Sequence, residues 1–362
     1  MKSIFSNIKS FFYRRESVII LASILLMSLV FSLHSARWVG WDSWAIWNMH
    51  AKFLTFSNNW TNLFTNHIEW THPDYPLMLP SYIAIFWKLL GNFTPIVPSI
   101  LAYIVLAAVP LSIYSSLKSK NLELLGLILF LIFALDSKFI YRAASQYSDT
   151  LLSLYILLTI ILFNQFRTEK QNNLFLIGFF SASSCWIKNE GGLFFIVFSF
   201  YLILSKYKDQ HFSGSKYFIG ALPPLLVTII FKLVYAPPNA LLSYSLFGNN
   251  FEKLLDIKRY TTTISYFVIT TMNHYPFIIY LSIIIFILYK KYYLSIDFMG
   301  LATVLLGYYA IFIISPYDLK WYLESAYSRL FHQLYPSFVY TMVTTLGNNY
   351  SFARINTNLQ SR

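Results

Sequence analysis

Proton transfer needs carboxylates and imidazoles, phosphate chemistry needs cations, and this chain gathers both in a few short clusters. Asp42 lies in a run where Trp38, Trp41, Trp44 and Trp47 recur every three residues. On a helix that spacing makes a broad aromatic stripe, and a carboxylate among indoles is partly desolvated, which raises its basicity and suits a general base. In Thr71-His72-Pro73-Asp74-Tyr75-Pro76-Leu77 two prolines hold an extended turn that aims His72 and Asp74. Tyr147-Ser148-Asp149 opens an apolar run, where Asp149 either caps a helix or does chemistry. Lys188-Asn189-Glu190-Gly191-Gly192 is a tight turn between two apolar runs, either a neutralised pair at the surface or a functional one. Arg329 and His332 are three apart and would share a helix face; arginine is the side chain best suited to a pair of phosphate oxygens, and also a common interfacial anchor.

The elements that must position these groups are membrane helices. The chain has 362 residues, 57% hydrophobic and 12% charged, with a mean hydropathy of +0.54. Soluble proteins carry about 25% charged residues, so an ordinary soluble enzyme, a disordered chain and a disulfide-stapled domain are all excluded. Cys185 is the single cysteine and can form no intramolecular disulfide. The net charge of +12 reads as Lys and Arg on cytoplasmic loops, not as a nucleic-acid footprint.

Apolar runs lie near 18–33, 95–117, 121–135, 150–165, 173–187, 192–205, 216–235, 275–289, 297–314 and 335–347. The run at 77–90 is short and carries Pro80 and Lys88, as an interfacial or re-entrant segment does. With that segment not spanning, the loops holding Lys118/Lys120, Arg167/Lys170, Lys206/Lys208/Lys216 and Lys290/Lys291 all face the cytoplasm. The expectation is an all-α polytopic membrane protein of about ten transmembrane helices. A long first outer loop, 34–94, carries interfacial helices; one domain covers 1–350 and a cytoplasmic tail 351–362. Ten of the fifteen acids then fall outside (Asp42, Glu69, Asp74, Asp136, Asp149, Glu190, Glu252, Asp256, Asp318, Glu324), so the outer face is the working face.

In this order, Trp41-Asp42, His72-Pro73-x-Tyr75-Pro76-Leu77, Tyr147-Ser148-Asp149, Lys188-Asn189-Glu190-Gly191 and Trp321 through Ser328-Arg329-Leu330 resemble the GT-C superfamily of integral-membrane glycosyltransferases, the group of the protein O-mannosyltransferases and the lipid A aminoarabinose transferase. The resemblance covers residues 10–345 and implies a sugar donor on a polyprenyl phosphate, transferred with inversion to a glycan, lipid or protein acceptor. Membrane lipids are the surroundings, and nucleic acid is no partner. It implies Asp42 as catalytic base and Asp149 as a second catalytic-site carboxylate, matching the second-loop acidic residue that in some relatives helps bind a metal or position the acceptor. Lys188 and Arg329 would face the donor phosphate, and His72, Glu190 and His332 the substrates. A divalent cation is an open question, with Asp149 and His72 its candidate ligands. Many relatives have His-Pro-Pro where this chain has His72-Pro73-Asp74, and the large soluble C-terminal domain of oligosaccharyltransferase-type relatives is missing. The expected place is a bacterial inner membrane, with the site on the periplasmic face. The rival readings are a lipid-linked sugar flippase or other transporter, which would bury charges at mid-membrane, and an O-antigen ligase or polymerase, which would need a larger late loop than 236–274. No HExxH, Walker loop, dinucleotide fingerprint or GxSxG elbow is present.

Overall fold

The computed structural model describes residues 2–37, 39–206, 213–238, 251–288 and 296–360. Trp38, Lys208, Lys290, Lys291 and most of the 236–274 loop's first half lie outside the described residues. Among those described there is no strand. The helices are α1 (Lys2–Arg37), α2 (Met49–Thr55), α3 (Met78–Leu90), α4 (Ile96–Ser119), α5 (Glu123–Leu135), α6 (Ser137–Ala144), α7 (Ser148–Glu169), α8 (Leu174–Ile187), α9 (Asn189–Lys206) and α10 (Gly214–Ile230). After them come α11 (Phe251–Leu255), α12 (Ile257–His274), α13 (Pro276–Leu288), α14 (Ile296–Ile314), α15 (Leu319–Tyr322) and α16 (Ser328–Gln360).

Among the described residues five helices are long and apolar enough to cross a bilayer: Arg15–Ser35, Ile96–Ser119, Ser148–Glu169, Gly214–Tyr235 and Ile296–Ile314. α5 and α6, bent by 57° at their junction, would make a sixth as one broken span. The sequence led to about ten. Part of the difference is length: the run at 173–187 folds into a helix of 14 residues and that at 121–135 into one of 13, where a full crossing takes about 17–25. α3 has 13 residues, in keeping with a segment too short to span. α16 runs on through 351–360, into the segment expected as the tail.

The break between α5 and α6 has a local cause. Asp136 leaves the helix with extended dihedrals, and its carboxylate accepts from the backbone N–H groups of Lys138 and Phe139, capping α6 as a new helix. Glycine sets the closest crossing: a Cβ on Gly178 would lie 2.0 Å from the Tyr217 carbonyl oxygen, and one on Gly220 2.0 Å from that of Phe175. α8 and α10 therefore meet backbone to backbone, as small residues allow in lipid.

Charge divides the bundle into two ends. At one end ion pairs clamp neighbouring helices: Lys118 with Glu16 at 3.2 Å, Lys120 with Glu169 at 2.9 Å and Arg167 with Asp297 at 3.3 Å. Tyr114 donates to the same Glu16 carboxylate. Asp149, Lys188 and Arg329 lie at the other end, where the 39–77 loop folds over the helix mouths.

Candidate active site

Asp149 occupies the first turn of α7, where the exposed N–H groups of a helix start favour a negative charge. Its side chain is 3% exposed and does not cap its own helix. It receives Lys188 Nζ at 2.9 Å and Gln333 Nε2 at 2.6 Å on Oδ1, and Arg329 Nε at 3.1 Å on Oδ2. Lys188 stands in extended backbone between α8 and α9 and pairs again with Glu190 Oε1 at 3.0 Å. Glycine makes that turn possible, since a Cβ on Gly191 would lie 1.9 Å from the Ser184 carbonyl oxygen. Arg329 opens α16, lies over the Tyr147 ring at 4.5 Å and reaches Asp42 Oδ2 through Nη1 at 2.7 Å. Tyr308 in turn donates to Gln333 Oε1 at 2.9 Å, so the amide is oriented with its NH2 toward Asp149.

Three carboxylates thus face two cations, and the cluster carries one net negative charge. Burial works against the ammonium of Lys188, but Asp149 and Glu190 outweigh it and hold its pKa above the usual lysine value. Arg329 is held up in the same way, burial being overcome by Asp149 and Asp42. Both stay charged throughout the physiological range.

The structure brings Asp42, Asp149, Lys188, Glu190 and Arg329 together, as far apart in sequence as they are. Four of its details bear on the sequence reading. Asp42 faces the Arg329 guanidinium instead of a cage of indoles, because Ser43–Asn48 winds as a π-helix. Its wider i→i+5 turn puts the three-residue Trp spacing out of register. Trp41 and Trp44 are 61% and 58% exposed, while Trp47 is sealed and stacks on Tyr75 at 5.7 Å. His332, one turn on from Arg329 in α16, is wholly buried against Phe139, with Nε2 3.1 Å from Thr150 Oγ1. The Asp149 oxygens are taken by two cations and an amide, and His72 stacks on Tyr75 at 4.7 Å. Among the described residues no three His, Cys, Asp or Glu side chains gather as a metal site would require. Lys188 and Arg329, finally, are already paired with carboxylates, and Lys188 is 4% exposed.

His72 holds a left-handed conformation (φ 51°) that lets the turn double back. Burial is the main cause that lowers its pKa, with Lys188 and Arg329 adding and Asp74 and Asp42 opposing, so the ring is neutral at pH 7. Asp74 ties this loop to the neighbouring turns, accepting from Asn189 Nδ2 at 2.9 Å, while Lys232 Nζ donates to the Asp74 carbonyl at 2.5 Å. Gln333, Tyr308, Asn189, Lys232 and Arg142 were not singled out in the sequence. The Asn189 signal was its place inside the Lys188–Glu190 turn; a lone polar group in an apolar helix was the signal for Gln333.

His50 locks the two halves of the loop, its Nε2–H donating to the Thr71 carbonyl at 2.9 Å. Burial, with a smaller push from His72, overrides that bond and lowers its pKa from 6.5 to about 4. The unfolded loop therefore takes up a proton at a higher pH than the folded loop. Stability of the loop is complete above pH 6.5 and is lost as pH falls toward 4, by up to about 3 kcal/mol. Amide protection over the 49–75 backbone, taken after correction for the intrinsic slowing of exchange in acid, is expected to fall between about pH 7 and about pH 4.5, and to lose that fall in His50→Gln. Equal pH dependence in the variant would remove His50 as the cause.

Comparison of the chain with protein-family models, with curated proteins and with solved structures finds no match in any of the three. Fold and site together define a helical membrane protein with one charged cluster under a folded loop.

Proposed function

We propose that this chain is a membrane glycosyltransferase of the GT-C kind, moving a sugar from a polyprenyl-phosphate donor to an acceptor at the outer end of the bundle. The observation that supports it most is Arg329 bridging Asp42 at 2.7 Å and Asp149 at 3.1 Å. One guanidinium thereby joins the first-loop motif, the α7 motif and the late-loop motif, and Lys188 joins the fourth.

Asp42 is the more open of the two acids, at 18% side-chain exposure against 3% for Asp149. It takes the proton of the acceptor hydroxyl as that oxygen attacks the anomeric carbon. The bond from that carbon to the phosphate oxygen breaks, and lipid phosphate leaves with the electron pair. Fixed cations near a leaving group that gains charge lower the barrier. In this reading Asp149 is the buried counter-charge that keeps Arg329 in place. Some ten membrane segments, the short helices included, alternate through a bacterial inner membrane with both ends cytoplasmic and the site periplasmic. The acceptor is a glycan, lipid or protein. A transporter would carry its charges at mid-membrane, whereas this cluster lies at helix ends.

The test is donor turnover by purified protein in detergent. A panel of polyprenyl-phosphate sugars is offered with membrane extract as acceptor, and release of lipid phosphate is followed. Release with one donor is the expected result; no release with any of them, from folded protein, would refute transferase chemistry for this donor class.

A further inference from the structure

Lys188 and Arg329 spend their charge on carboxylates, so a phosphate arriving at the site needs another cation. Arg142 is placed to be that cation. It lies on α6, and among the described residues its one hydrogen bond runs from Nη2 to Ser328 Oγ at 2.5 Å, with no ion pair to any carboxylate. A guanidinium has five N–H donors in a planar fork that fits two phosphate oxygens. None of the Arg142 nitrogens is a sealed, partnerless atom, so those not used by Ser328 remain open to a ligand.

The surroundings add positive field without adding a counter-ion. Lys138 is one turn back on the same helix, on the face of Arg142, and donates through Nζ to the Asn273 carbonyl at 2.6 Å. The next residue, His274, is held below its usual pKa by burial and then by Lys138 and Arg142, so it stays neutral and brings no charge of its own. The nearest acid on the element, Asp136, is committed to capping the start of α6. Tyr275 fixes the position by donating to the Ser328 carbonyl at 2.9 Å. From α16 the charged neighbour is Arg329, whose Cα lies about 3.8 Å from that of Ser328 along the chain. A group held by Arg142 and Ser328 therefore sits at the edge of the Asp42–Arg329–Asp149 network and outside it.

We propose that Arg142, with the Ser328 hydroxyl, is the anion-binding group of this protein and takes the phosphate of a lipid. The inference rests on the lipid-phosphate reading of the site, and gives the direct phosphate contact to Arg142 in place of Lys188 and Arg329. The residue after Arg142, Ala143, lines a small, mainly apolar hollow with Leu79, Ile83, Leu101, Val105 and Tyr147.

Binding decides it. Full-length protein in detergent is titrated with a long-chain polyprenyl monophosphate, with the corresponding free polyprenol and with inorganic phosphate, using tryptophan fluorescence. Polyprenyl phosphate is expected to bind wild type and to lose about tenfold or more in affinity in Arg142→Gln, the scale of a charge-assisted hydrogen-bond pair. Arg142→Lys should recover part of that loss, and polyprenol should bind wild type and Arg142→Gln alike. Inorganic phosphate binding as tightly as the lipid would overturn the lipid and leave a free-phosphate site. Unchanged affinity for polyprenyl phosphate in folded Arg142→Gln and Arg142→Lys overturns the proposal outright. Arg142-dependent binding with no sugar transfer from any donor would keep the anion site and remove the transferase. Transfer that persists at the wild-type rate in Arg142→Gln would do the reverse.

Discussion

Asp149→Ala is expected to destabilise the folded protein by about 3–5 kcal/mol, the cost of stripping the shared partner from buried charges. Lys188 would keep only Glu190, Arg329 only Asp42, and the Gln333 amide would lose its acceptor. The Lys188 ammonium is the more exposed to loss, since a 4% exposed cation has no water to fall back on. The measurement is thermal unfolding in detergent of Asp149→Ala, Lys188→Met and the double variant. Because the two groups share one interaction, the double should cost less than the sum of the singles by about 1 kcal/mol or more. Additive costs would mean that the pair is incidental to stability.

Asp42→Asn should do the opposite: fold normally and stop working. Its carboxylate is at the rim of the network, and Arg329 retains Asp149 without it. The amide has nearly the same shape and still accepts from Arg329, but it cannot take a proton. General-base catalysis is worth about 10²–10⁴ in rate, and transfer is expected to fall by that factor with the unfolding temperature within a few degrees of wild type. Wild-type turnover in Asp42→Asn would move the base elsewhere, with neutral His72, an imidazole that feels the Asp42 charge, the first candidate. The two variants therefore separate the roles of the two acids, one holding the site together and one acting in it.

Much of this was legible because charge is scarce in the chain. A carboxylate or ammonium bordering an apolar run stands out, and Asp42, Asp149, Lys188, Glu190 and Arg329 were all found that way. Their pairing was not legible: no local pattern says that Lys188 meets Asp149 or that Arg329 spans both acids, since those contacts are made by helix packing. Arg142 was hidden because the bend before it comes from a single cap, Asp136, at the end of what reads as one apolar run. The Trp register failed for a related reason, a π-turn that no residue spacing announces. Helix class was plain from composition; the number of full crossings was not, because a short helix and a long one share the same hydropathy.

The brevity of α8 has a consequence for the lipid around it. Its 14 residues rise about 21 Å, against a hydrocarbon layer of about 30 Å. A bilayer meets such a mismatch by thinning beside the protein. Headgroups on the side where Lys188 ends the helix would be drawn several ångströms below the level of the surrounding leaflet. On the function proposed above, with α8 as one of the membrane segments, the charged cluster would lie at the bottom of a dimple in the membrane surface, where a lipid headgroup is brought down to it instead of having to climb out of the bilayer.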